Sequence, residues 1–499
     1  MIAISPAMTE AIDRFAEAHL GIPTVQLMER AGLAVAERVC ASTKAGGRVL
    51  ILAGGGNNGG DGYAAAIILQ ERGYRVAVCD VFSRGQRSEA GRHFLDAYRE
   101  AVGLPLSLSE AAAWPHDCLV DAVLGTGAKL PLADALRPVS AFIKKSAAYK
   151  IAVDLPLGAD AESGRVDPHA VSVNETLMLG FLKYGLYSYP AREHVGALIV
   201  ADIGLDIPAV REMIGEAEHL TVPSDIPSLL PARAANTHKG SFGHLVLLAG
   251  SERYRGAALM AASAALRMGA GLCTLASCEE VLAATTPILP EVILAKLGER
   301  DDISPLCDKK SAILIGPGSG ATDVTAARVH ALLSTEGAPL LIDADGINVL
   351  ATQEGRALLS RAKRRVILTP HPTEFARLID TDTASVQADR LSLARRFAAE
   401  HPTVTLVLKG AATVIAEGDR FTVNTTGGPA LAKGGSGDVL AGAIASLLAS
   451  GIAPYDAARI GVCLHGAAGD ALAARYSPIG VRPTDLPTAM AELLAGYLA

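Results

Sequence analysis

Aromatic residues are scarce, 4% of 499, and Trp114 is the one tryptophan. A surface that stacks bases needs more of them. The net charge of −7 offers no basic footprint for phosphate backbones or anionic lipids. Nucleic-acid and membrane partners are therefore not expected. The seven cysteines (Cys40, Cys79, Cys118, Cys273, Cys278, Cys307 and Cys463) are scattered, with no CxxC pair. Neither a zinc knuckle nor a disulfide framework is indicated, and a reducing compartment, by default the cytoplasm, fits. No basic stretch followed by an apolar run opens the chain, so secretion is not expected. The longest uncharged run, residues 439–455, is short and broken by Gly442, Gly451 and Pro454. It reads as a buried helix rather than a bilayer span. No G-x-x-x-x-G-K-[ST] phosphate loop occurs anywhere.

What is abundant is glycine, 50 residues, in a chain half hydrophobic. That composition and length indicate an enzyme of two large domains. Residues 8–41 carry helical periodicity. Residues 48–53, an apolar run closed by glycines, read as a strand buried on both faces. Further strands are expected at 74–80, 118–124, 150–155 and 197–202, with a helix at 63–72. Alternating strands and helices imply a parallel sheet with helices on both faces. Residues 221–231 hold three prolines and read as a linker or boundary. The pattern then restarts: strands at 245–249, 312–315, 339–343, 365–369 and 405–409, and helices at 256–268 and 438–450, the last capped by Gly451. The expected fold is α/β, two three-layer αβα domains, 1–222 and 223–499.

The segment GGGNNGGDG, residues 54–62, lies between a strand and a helix. Glycines let backbone amides approach a phosphate, and a helix N-terminus adds free donors and a favourable dipole. Asparagine and aspartate oxygens suit a hard cation or ribose hydroxyls. A plain strand-to-helix turn needs fewer glycines than these six. A dinucleotide fingerprint is also open: Gly54, Gly56 and Gly59 satisfy G-x-G-x-x-G, and Asp80 ends the next strand. Asp121 and Asp154 fall at other strand ends, where ligands gather in parallel α/β sheets. Each alone could be a helix cap or strand-end polar residue.

GGGNNGGDG, DAVLGTG and DLPLGAD, in this order and spacing, resemble the NAD(P)H-hydrate epimerase domain over residues 1–220. The resemblance implies a Rossmann-like fold. It implies that Asn57, Asn58, Gly59, Gly60 and Asp61 contact the hydrated dinucleotide, together with Gly125, Thr126, Gly127, Ala128, Lys129, Leu130, Pro131 and Asp154. Asp154 is also the expected catalytic residue. Potassium is expected on Asn58, Asp121 and the residue at 157. The family usually has Ser or Thr there; Leu157 offers no hydroxyl, so a contact must come from its backbone carbonyl.

In the second half, residues 424–438 end in Gly434-Gly-Ser-Gly437-Asp438 and run into an apolar helix. The glycines supply unhindered amides at a helix start, an anion hole for a transferring phosphoryl group. Asp438 can accept a proton from a substrate hydroxyl, although an aspartate there could equally stabilise its own helix. The motif resembles the ribokinase-like superfamily. HKGSFG (238–243), AGS (249–251), GAA (256–258), GPGSG (316–320), DAD (343–345), TPHPTE (369–374) and KGAAT (409–413) resemble, as an ordered set, the ADP-dependent NAD(P)H-hydrate dehydratase. That implies substrate contacts at Ala258, Gly318, His371 and Asp438, and nucleotide contacts at Lys409, Gly410, Ala411, Ala412, Thr413 and Gly437. ADP is expected with Mg2+, AMP as its product. Ser436 replaces the commoner threonine and keeps the hydroxyl.

Together the resemblances imply a bifunctional enzyme repairing NAD(P)HX, a homo-oligomer without membrane or nucleic-acid partners. Three other readings stay open: a hydroxymethylpyrimidine- or thiazole-type kinase, a dehydrogenase built on the Gly54–Gly59 fingerprint, and a first domain that only binds or oligomerises.

Overall fold

The computed structural model describes residues 2–82, 87–215 and 219–498. The chain divides into two units, Met1–His219 and Leu220–Ala499.

In the first unit, β1 (Arg48–Ala53), β2 (Arg75–Asp80), β3 (Cys118–Ala122), β4 (Tyr149–Val153), β5 (Glu175–Leu179) and β6 (Ala197–Ala201) form one parallel sheet, ordered β2-β1-β3-β4-β5-β6. Alternate residues of β1 enter different apolar layers. Val49, Ile51 and Ala53 pack with α1 (Pro6–Leu20), α2 (Thr24–Ser42) and α3 (Asn57–Glu71). Leu50 and Leu52 pack with Val139 and Ile143 of the helix Arg137–Lys145. A sheet covered on both faces explains why β1 is apolar throughout rather than alternating. The strand order reverses between β1 and β3, which opens a crevice at their C-terminal ends.

Two differences from expectation have clear causes. The periodic stretch 8–41 is two helices, because Gly21 takes φ 66° as the cap of α1 and Pro23 follows. And α3 starts at Asn57, inside the glycine run. Glycine is a poor helix former, but here it lets α2 pack closely: a Cβ on Gly60 would lie 2.3 Å from Met28 Sδ.

In the second unit a ten-stranded sheet runs β10-β9-β8-β11-β12-β13-β14-β15-β16-β7. In chain order these are β7 (Leu220–Thr221), β8 (His244–Leu248), β9 (Leu272–Ser277), β10 (Ile293–Lys296), β11 (Ala312–Ile315), β12 (Leu340–Ile342), β13 (Val366–Leu368), β14 (Val404–Leu408), β15 (Val414–Glu417) and β16 (Arg420–Asn424). Pairing is parallel from β10 to β14 and antiparallel through β15 and β16. The antiparallel hairpin was not expected from the sequence; its turn is carried by Gly418 at φ 57°. The proline-rich segment is structured, with β7 parallel to β16 and a helical turn at Ile226–Leu229. One apolar layer joins Leu245, Leu247 and Leu314 to α4 (Arg255–Arg267), α5 (Ser436–Ala449) and α6 (Pro454–Gly480). No helix among the described residues is long and apolar enough to cross a membrane.

Candidate active sites

The crevice of the first unit is a cavity of about 560 Å3 lined by α1, α3 and the loops after β1, β3, β4 and β5. Asn57, Asn58, Asp61, Gly125, Thr126, Gly127, Ala128 and Asp154 line it. Gly59 and Gly60 are buried beneath it in α3, and Lys129, Leu130 and Pro131 are not among the lining residues. Close backbone approach explains the glycines. A Cβ on Gly54 would stand 1.8 Å from Val123 O, and one on Gly59 2.1 Å from Gly54 O. Gly59→Ala is therefore expected to cost about 1–3 kcal/mol through overpacking. It should lower the denaturation midpoint of the first unit and displace Asn58, one residue away.

The Asn58 amide donates to Leu124 O at 2.8 Å and Val153 O at 3.1 Å, while its buried Oδ1 has no partner. Asp121, in β3, is fully buried. It accepts the Leu157 N–H on Oδ2 (2.8 Å) and the Val123 N–H on Oδ1 (3.3 Å). Burial raises its pKa to about 6 against those two donors. Leu157 packs its side chain into the apolar layer beneath the sheet, and its carbonyl accepts from Val171 N at 3.0 Å.

Asp154 takes φ 64°, a left-handed conformation that a non-glycine residue adopts at a cost of about 1–3 kcal/mol. Its Oδ1 accepts from Leu179 N (3.1 Å) and from Lys183 Nζ (3.0 Å), and Lys183 is fully buried. A buried ion pair so anchored fixes the carboxylate at the mouth of β4. Sequence reasoning does not find Lys183, although a lone cation within the apolar run 177–186 was a visible signal. It also does not find Asp13 of α1, which lines the same cavity. The dehydrogenase fingerprint fares differently: Asp80 is held in an ion pair by Arg87, which also donates to Gly54 O at 3.0 Å.

In the second unit Asp438 sits in the first turn of α5, whose cap Gly435 takes φ 101°. Burial, then the neighbouring Asp343, raises the Asp438 pKa to about 7 against the pull of Lys409. Lys409, at the end of β14, is bonded to Asp343 Oδ1 at 2.8 Å, and the Thr369 hydroxyl donates to the same oxygen at 2.7 Å. A Cβ on Gly437 would lie 3.3 Å from Lys409 Nζ, so the ammonium borders the amides at the start of α5. Burial would lower the Lys409 pKa, but Asp343 and Glu374 together raise it.

The loop after β14 is held from behind. The Arg390 guanidinium donates to Leu408 O and Lys409 O, both at 3.1 Å, Thr413 Oγ1 donates to Gly410 O at 3.0 Å, and Ala412 takes φ 51°. His371 caps the helix Pro372–Leu378, its Nδ1 accepting from Thr373 N and Glu374 N. Gly318 takes φ 63° and its carbonyl accepts from the Ser251 hydroxyl at 2.7 Å. Ala258 is fully buried in α4. Ser436 Oγ meets Nε2 of the buried His465 at 3.1 Å, which sequence reasoning also does not find.

The family model described as NAD(P)H-hydrate dehydratase matches residues 245–492, and that described as YjeF-related protein N-terminus matches residues 24–185. The chain is 37% identical to a bifunctional NAD(P)H-hydrate repair enzyme of Moorella thermoacetica, over 97% of this chain and 95% of that one. Its identity to the Escherichia coli repair enzyme is 33%, over 95% and 90%. Among solved structures, an ADP/ATP-dependent NAD(P)H-hydrate dehydratase from Bacillus subtilis, co-crystallized with ATP/Mg2+, is 31% identical. It covers 57% of this chain and 100% of its own, at a TM-score of 0.50. A ribokinase-like superfamily protein from Enterococcus faecalis is 28% identical over 56% and 96%, at a TM-score of 0.51. A ribokinase-like second unit and near-full-length identity to these relatives place the chain in the family of bifunctional NAD(P)H-hydrate repair enzymes.

Proposed function

We propose that residues 1–222 interconvert the R and S epimers of NAD(P)HX, and that residues 223–499 dehydrate the S epimer with ADP. The observation that carries this is the pairing of two separately built strand-end sites in one chain: the Asn57–Asp61 cavity with Asp154, and the Gly434–Gly437 anion hole with Asp438 and Lys409. In the second site Asp438 accepts the proton of the C6 hydroxyl as that oxygen attacks the terminal phosphorus of ADP. The amides of the glycine run and Lys409 stabilise charge on the phosphoryl oxygens. AMP departs, the C6–O bond then breaks with phosphate as the leaving group, and loss of a proton from C5 restores the ring double bond. His371, Gly318 and Ala258 hold the dinucleotide, and residues 409–413 hold the adenine nucleotide. Asp343 and Glu374 act on Lys409, and Asp345 acts on Glu374. That acidic excess suits a magnesium ion, most of whose remaining ligands the diphosphate provides.

Potassium in the first unit fits the donor set. The unpartnered Asn58 Oδ1 is buried, and the carbonyls of Leu124 and Val153 converge on the amide of the same side chain. Turning that amide over brings a third oxygen to them, with Asp121 below. A bound cation would supply local positive charge that orients substrate. Leu157 would join through the second lone pair of its carbonyl. Leu157→Ser is expected to bind potassium as tightly as the wild type or more so, as read by potassium-dependent thermal shift. The same substitution should lower the melting temperature in potassium-free buffer, because it removes an isobutyl group from the apolar layer. Weaker potassium binding would contradict this placement.

Chemically hydrated NADH incubated with ADP, ATP or neither tests the function. Nucleotide-dependent recovery of NADH with AMP and phosphate supports it. Accumulation of a stable phosphorylated product points to a kinase. Absorbance changes with NAD and no phosphate donor point to a dehydrogenase.

A further inference from the structure

Two carboxyls of the first cavity, Glu10 and Asp13, have no part in the substrate contacts proposed for it, and both belong to α1. Glu10 is exposed; Asp13 is half-buried and lines the same space as Asn57, Asp61, Gly125 and Asp154. Three aspartates line the cavity, Asp13, Asp61 and Asp154, and Asp13 and Asp154 are held very differently. The Asp154 carboxylate is held in place by the buried Lys183 and by Leu179 N. Among the described residues no hydrogen bond holds the Asp13 carboxyl, which faces Glu10 on its own helix, Asp61 on α3, and Asp154 and Lys183 beyond β4 and β5. A carboxylate pinned by a cation beside a carboxyl left without a donor is how a site divides base from acid.

We propose that Asp13 is a catalytic residue of epimerisation, the proton donor to the departing C6 hydroxyl, with Asp154, paired to Lys183, as its counterpart. The inference rests on the epimerase reading of this unit. The C6 carbon of the hydrated ring bears both a hydroxyl and N1. The Asp13 proton passes to the hydroxyl oxygen, the C6–O bond breaks and its electron pair leaves with water. The N1 lone pair forms the N1=C6 iminium. Water then adds to the opposite face, the iminium electrons return to N1, and the proton of the added water returns to Asp13. No redox change or co-reactant is involved. The cation forms between the Asp13 carboxylate just created and Asp154, where charge stabilisation is strongest. Burial and the Asp154 charge raise the Asp13 pKa to about 6, which keeps a protonated fraction near neutrality. Asp61, on α3, is more enclosed than the half-buried Asp13.

The test follows conversion of pure S epimer toward the R/S equilibrium by chromatography, without nucleotide, in the full-length protein. Wild type, Asp13→Asn and Asp13→Glu are compared across pH after subtracting the spontaneous rate. Asp13→Asn should lose about 10²-fold or more. Asp13→Glu should recover part of the rate, and the wild-type rate should fall as pH rises above 6. ADP-dependent consumption of the S epimer should be unchanged in both variants. Asp13→Asn epimerising within a few-fold of an active wild type overturns the proposal while leaving the epimerase reading intact. A wild type that does not equilibrate the epimers overturns both. Should Asp13→Asn fail to fold, Asp13→Glu decides: a shifted pH limb supports the role, and an unshifted limb at the wild-type rate contradicts it.

Discussion

Asp438→Asn should reduce ADP-dependent dehydration by at least about 10²–10⁴-fold, the usual contribution of a positioned general base. Asparagine keeps the shape of the first turn of α5 but removes the acceptor and the negative charge. Nucleotide affinity should change little, because the groups placed on the nucleotide, the 409–413 loop backed by Arg390 and the amides of the glycine run, are untouched. Wild-type dehydration should also show a rising pH limb. Burial and Asp343 hold Asp438 protonated up to about 7, and a base works only when ionised, so the rate climbs through that pH and then levels. In Asp438→Asn that limb should vanish. Steady-state rates on the S epimer across pH, with nucleotide binding by calorimetry, check both statements. A near-normal rate in the variant would remove Asp438 from its role.

Asn58→Ala should separate the two activities. It removes the amide that links Leu124 O to Val153 O across the ends of β3 and β4, and leaves both carbonyls without that partner. Unsatisfied buried polar groups cost about 1–3 kcal/mol each, so the first cavity should lose its shape. The variant should still consume S epimer with ADP and strand most of the R form, apart from slow spontaneous epimerisation. Asp438→Asn should do the reverse, equilibrating the epimers without consuming them. Chromatography of both epimers over time distinguishes these patterns. Wild-type clearance of R by Asn58→Ala would contradict the assignment of the first unit.

What could be read from the sequence follows from how locally each feature is encoded. The run 54–62 lies between apolar stretches and the run 434–438 opens one, so a helix start with free amides is legible from the residue order alone. Asp154 and Asp438 are legible because they end or begin such stretches. Lys183 and Asp13 are not, since each becomes part of the site only when α1 and the chain after β5 are brought to the β4 edge. The strand β5 is not among the strands expected from the sequence; in the fold its Glu175 is buried and bonded to Arg38 at 2.6 Å. Ala258 shows the converse: a motif position whose side chain the fold places in the core.

The most direct measurement starts from purified R epimer alone, with wild-type protein, ADP and Mg2+, under conditions where spontaneous epimerisation is slow. The two-site account predicts that NAD(P)H appears after a lag set by epimerisation, with one AMP and one phosphate per molecule restored. Failure to restore NAD(P)H from the R epimer, while the S epimer is consumed normally, would contradict it.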